Sequence, residues 1–180
     1  MSWRGFRIAL LLGVLVMVAL DAWLTHRRTT SWDRTLRVSV YPIVADGRDA
    51  TRDYVAALKP EDFTAIDSFL QREAPRYGVT LRDPAHVTLG PALEQLPPLP
   101  PADRSVIGTM LWSLKLRWWA GRHDLRQMHS QSRIFVLYYD PQASPRVAHS
   151  LGLKQGLIGV VHAFATRQQA QTNAFVSAPE

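Results

Sequence analysis

Arg133-Ile-Phe-Val-Leu-Tyr-Tyr-Asp140 is the stretch on which the fold turns. From Ile134 to Tyr139 every side chain is large and apolar or aromatic, so a strand here has no polar face to turn to water. Such a run is covered on both sides and belongs at the centre of a sheet. Upstream, Leu36, Val38 and Val40 alternate with Arg37, Ser39 and Tyr41, the period-two pattern of a strand with one buried face, and Pro42 places its far end at an edge or exit. Downstream, Gly156-Leu-Ile-Gly-Val-Val-His-Ala-Phe-Ala165 reads as a further strand whose glycines suggest a bulge or a close backbone approach. Residues 79–81 and 86–89 read as segments of one bent edge strand, broken at Asp83-Pro84.

Helical patterns lie between these runs. One helix starts at Asp49 and carries Tyr54, Val55 and Leu58. A second opens at Pro60, sets Phe63, Ile66, Phe69 and Leu70 on one face, and closes at a left-handed Gly78. The prolines at 91, 97, 98, 100 and 101 form a stiff extended connector. Asp103 then caps a third helix, in which Ile107, Leu111, Leu114 and Trp118 form one stripe and Trp112, Leu116 and Trp119 widen it into a broad apolar face. Strands and helices in this order predict an α/β (α+β) domain, with helices packed on a small mixed sheet.

The amino terminus has a different composition. Ile8 to Leu20 is an unbroken apolar run with Arg4 and Arg7 before it and His26, Arg27 and Arg28 after it. Extended to residues 6–24, about nineteen residues give roughly 28 Å of helix, close to a hydrocarbon core. No Ala-x-Ala cleavage site follows it, so an uncleaved anchor in the lipid bilayer is expected rather than a signal peptide. This predicts an anchor over 1–28, a connector over 29–33 and a single domain over 34–180, in a single-pass protein of the bacterial inner membrane with a periplasmic domain.

The chain has 21 Lys+Arg and 15 Asp+Glu, a net charge of +6. Four of its arginines flank the apolar run, so the basic excess is a membrane-flank feature. No basic run or RNA-binding aromatic motif appears, which excludes a nucleic-acid partner. Cysteine is absent, so thiolate zinc sites and cysteine nucleophiles are excluded. The histidines at 26, 86, 123, 129, 149 and 162 include no helical i, i+4 pair, and no Gly-x-Ser-x-Gly elbow or phosphate loop is present. His123 and His129 read as solvated loop residues. His162, inside a strand, reads as a satisfied structural histidine. The tract 111–119, with three Trp beside Lys115 and Arg117, suits core packing first and contact with lipid headgroups second.

Ser31-Trp-Asp-Arg-Thr-Leu-Arg-Val-Ser-Val-Tyr-Pro42, Leu111 to Trp119, Phe135-Val-Leu-Tyr-Tyr-Asp-Pro141 and Ser150 to Ala165 together carry a resemblance. They resemble the N-terminal part of an uncharacterised family of single-pass bacterial membrane proteins with a zincin-like metallopeptidase domain. The resemblance implies the upper half of a zincin fold, followed in longer members by Ala-His-Glu-Leu-Leu-His on a helix. There two histidines bind zinc and the Glu activates water. On that motif Ala178 matches the lead-in, Pro179 stands where the first histidine would be, and Glu180 stands at the catalytic Glu. The implied expectation is a catalytically inactive relative with no cofactor in this chain, no metal ligand and a residual binding or structural role. The strand 156–165 would be the edge at which a peptide or protein adds. The alternatives are an active zinc metallopeptidase whose catalytic part is missing from this sequence, and an envelope protein-interaction module.

Overall fold

The structure, a computed structural model, describes residues 3–30, 32–102, 105–123, 130–144, 146–154 and 156–166. Asp103, His129 and the ending Ala178-Pro179-Glu180 lie outside the described residues. The elements are α1 (Trp3–Thr30), β1 (Leu36–Val44), α2 (Asp49–Ala56), α3 (Thr64–Glu73), β2 (Ala85–Leu89), α4 (Val106–His123), β3 (Ser132–Tyr139), β4 (Leu151–Leu153) and β5 (Ile158–Phe164). Short 3-10 turns, Pro60–Phe63 and Ala74–Tyr77, flank α3.

The chain divides into two units, Met1–Arg34 and Thr35–Glu180. In the first, α1 continues to Thr30, past the expected start of the connector. The expected transmembrane helix, and with it the single-pass inner-membrane localisation, is corrected here: no helix among the described residues is long and apolar enough to cross a membrane.

The second unit is a mixed α+β domain on a five-stranded sheet of order β2-β1-β3-β5-β4. The β2–β1, β1–β3 and β3–β5 pairs are parallel, and β4 alone runs antiparallel, beside β5. β3 is the middle strand, as its two-sided apolar run requires. From β1 the chain crosses to β2 on one side, and from β2 back over β1 to β3 on the other. Right-handed crossovers in opposite directions put their helices on opposite faces. Accordingly Tyr54 of α2, Leu58 and Phe63 pack with Val40, Val136, Tyr138 and Ala163 on one face. On the other face Leu116, Trp119 and Ala120 of α4 pack with Tyr41, Ile43, Phe135 and Leu137.

Several local expectations change. Pro42 lies inside a central strand rather than at an edge, because its missing N–H falls where no ladder partner is needed. Its carbonyl accepts from Leu93 N at 2.9 Å on the β2 side of β1. β2 itself pairs only as far as Val40↔Leu89, so it has ended before Pro42. The chain leaves at Gly90, whose N–H donates to Val40 O at 2.7 Å. A Cβ at Gly90 would stand 2.7 Å from Tyr41 Cε1, and Tyr41 is fully buried, so this approach needs glycine.

Of the two segments read as a bent edge strand, only Ala85–Leu89 is a strand. β5 is not an edge: β3 flanks it on one side and β4 on the other. A proposed edge at 156–165 is therefore replaced by edges at β2 and β4. Gly156, with φ +88°, and Leu157, with φ 47°, form the left-handed turn between β4 and β5, whereas Gly159 has room for a side chain.

The largest reversal concerns α4. Leu116 and Trp119 face the sheet, while Ile107, Leu111, Leu114 and Trp118, the stripe on which the sequence pattern centres, face outward. Trp112 joins the inward side, its Nε1–H donating to Pro98 O at 2.8 Å and fastening the proline-rich connector to the helix.

Candidate functional site

In open parallel sheets, ligand crevices form beyond the carboxyl ends of the strands where the strand order reverses. Here that place is the end of β1 beside the end of β3. Asp46, two residues past β1, directs its carboxylate there. Its Oδ2 accepts from Thr51 Oγ at 2.9 Å and from the backbone N–H of Asp140 at 2.6 Å, and its Oδ1 accepts from Arg48 N at 3.1 Å. Arg48 Nε in turn lies 3.3 Å from Asp140 Oδ2. Burial raises the Asp46 pKa, but the hydrogen bonds from Asp140, Arg48 and Thr51 outweigh it and hold the group below its ordinary 3.8. Thr51 is fully buried in the first turn of α2. Asp46 thus clamps the β1–α2 loop and the α2 start to the end of β3. Its oxygens are occupied by these donors, so its work is structural.

The second group lies along β3 and β5. Tyr139 Oη is 3.1 Å from His162 Nδ1, and the rings stack with centroids 5.7 Å apart. Burial pushes the Tyr139 phenol up, with the nearby Asp46 charge adding to it, and burial pushes the His162 imidazole down. Both effects favour a neutral pair. Ser150 Oγ accepts from the backbone N–H of His162 at 3.2 Å rather than meeting its ring, so no nucleophile–base pair is formed. A histidine with a folded pKa below its unfolded 6.5 destabilises the fold when protonated. Stability is therefore full above that range and falls as pH drops through 6.5 towards the folded value. The expected NMR titration midpoint of His162 lies below 6.5; a midpoint above 6.5 would contradict the burial argument.

A third group lines a cleft of about 390 Å³ at the amino end of β2, among Arg37, Asp67, Gln71, Asp83 and His86. Asp67 Oδ1 accepts from Val87 N at 2.9 Å, and Oδ2 lies 3.6 Å from His86 Nδ1. A side chain from α3 thus occupies an edge N–H of β2 and blunts that edge against strand addition.

The remaining histidines do not converge. His123 ends α4 instead of lying in a loop, its Nδ1–H donating to Trp119 O at 2.8 Å with Nε2 3.1 Å from Gln95 Oε1. His149 is exposed, His26 is on α1, and His129 and Glu180 lie outside the described residues. Among the described residues no group of three or more His, Asp or Glu could hold a metal ion. The described residues do not fit a zinc site. The Asp46 clamp was missed in the sequence because its partner Asp140 is 94 residues away. Only the Asp46-Gly47 turn was visible locally.

The fold and these groups define a mixed α+β domain whose polar clusters are engaged in holding its own loops and edges. No protein-family model, curated protein or solved structure matches the chain.

Proposed function

We propose that the sheet domain is a non-catalytic, zincin-like scaffold with a binding or structural role. The observation that supports this reading most is the sheet itself. The one antiparallel strand, β4, lies at the edge and leads directly into β5, after which the resemblance would place a metal-binding helix. The polar groups at the carboxyl ends of the strands are engaged with one another, which favours a binding role over a hydrolytic one.

Binding by strand addition falls on the β4 side of the sheet rather than on β2, whose edge Asp67 guards. β4 pairs with β5 through Ile158–Val160 on one side and forms an edge of the described sheet on the other, so an extended segment can add along the outer side of β4.

The experiment is metal analysis of the chain after metal-free purification, together with a protein-substrate hydrolysis assay. Far less than one zinc per chain and no hydrolysis are expected. One tightly held zinc per chain that raises the unfolding midpoint would overturn the reading, because a built zinc site stabilises the fold that forms it.

A further inference from the structure

The outward face of α4 is apolar where a domain-surface helix is normally polar. Ile107, Met110, Leu111, Leu114 and Trp118 are all exposed, Ile107 at 73% and Trp118 at 63%. At 100° per residue they fall in a band roughly 100° wide, centred opposite the inward Leu116 and Trp119. Sheet packing accounts for the inward face and for none of this band. Arg117 borders the band on one side, Lys115 and Arg122 border it on the other, and α4 contains no acidic residue. The Arg122 guanidinium lies 4.7 Å over the Trp118 ring, so a cation sits at the rim of the largest exposed side chain.

We propose that this face of α4 docks on an anionic phospholipid surface, lying in the plane of the headgroups. Apolar side chains with tryptophan in the middle and cations along both margins match the layered polarity of such an interface. A convex helical ridge needs no preformed groove on a fluid surface. A second copy fits less well, since pairing α4 with α4 sets Lys115, Arg117 and Arg122 against the same three cations. The contact is peripheral: the opposite face of α4 is committed to the core through Leu116, Trp119 and Ala120, so this helix lies on the surface and does not cross it. The inference does not depend on the zincin-like reading.

The chain has no cysteine, so a single introduced thiol can report from one position of the full chain. Leu114→Cys carries an environment-sensitive fluorophore, with Ala65→Cys on α3 as the control. The vesicles are phosphatidylcholine alone, or phosphatidylcholine and phosphatidylglycerol in equal parts. The expected result is a blue shift at position 114, quenched by brominated acyl chains, with the mixed vesicles and not with phosphatidylcholine alone, while position 65 stays in water. Replacing Lys115, Arg117 and Arg122 by Gln, one at a time, is expected to weaken partitioning about fivefold each. Because the probe reads α4 alone, adhesion of vesicles through α1 does not mimic this result. An unchanged probe on vesicle-bound protein would overturn the proposal, and so would equal responses on both vesicles. A shift that grows with protein concentration without lipid would overturn it in favour of a second copy.

Discussion

Phe135→Ala is expected to lower the unfolding free energy by about 3–5 kcal/mol, the range for truncating a buried aromatic side chain. Phe135 is fully buried in the middle strand, with its ring 5.4 Å from that of Tyr41 and 4.8 Å from that of Trp119. It is the point at which β1, β3 and α4 meet. The surrounding side chains belong to two strands and a helix, so they cannot close the cavity together. Urea unfolding followed by circular dichroism reads the change. A loss below about 1 kcal/mol with an unchanged denaturant slope would show that α4 does not rest on this ring. If the alanine variant does not fold, Phe135→Leu retains most of the volume and should cost less than about 1.5–2 kcal/mol.

For Asp46→Asn the expected cost is about 1.5–3 kcal/mol at neutral pH, the value of hydrogen bonds to a charged acceptor. The amide keeps one oxygen for Thr51 and Asp140 but turns an NH2 towards the Arg48 N–H that Oδ1 now accepts. The pH dependence makes the test specific. Asp46 has a folded pKa below the ordinary 3.8, so its stabilisation is present above the unfolded value and is lost as pH falls through the folded one. The difference between wild type and variant should therefore shrink at acid pH, measured as paired unfolding midpoints. A difference that stays constant through acid pH would mean that the carboxylate charge plays no part in the clamp.

Much of the sheet was legible because its signal is local. Ile134 to Tyr139 permits no half-exposed strand, so β3 follows from neighbouring residues. Leu36 to Tyr41 also reads locally as a strand, but its alternation implies one buried face, whereas Val38 to Ile43 are all buried because helices cover both faces of β1. Pro42 misled because the rule against proline in a central strand assumes that every N–H has a ladder partner. Here β2 stops at Leu89, and that follows from where a different segment turns. The position of β5 misled for a related reason. Whether Ile158–Phe164 lies at an edge depends on three residues, Leu151–Leu153, too short for a periodic signal, folding back beside it. Asp46 and Asp140 are each ordinary loop aspartates in sequence. Only the parallel pairing of β1 with β3 brings them within hydrogen-bonding distance.

By itself, the sequence determined which segments are apolar enough to build the sheet and that β3 lies at its centre, because hydrophobic periodicity is a property of adjacent residues. It also determined that a helix follows the proline-rich connector, although its end at His123 lies beyond the Gly121 stop and places in the helix a residue read as loop. Which face of that helix is buried was decided by tertiary structure alone. The band from Ile107 to Trp118 and the band through Trp112, Leu116 and Trp119 both satisfy helical spacing, and a periodic pattern does not distinguish two apolar faces of one helix. The choice came from the crossover between β2 and β3, which lays α4 over Tyr41 and Phe135 with Leu116 and Trp119 beneath it. The same choice leaves the other band, bordered by three cations, facing outward.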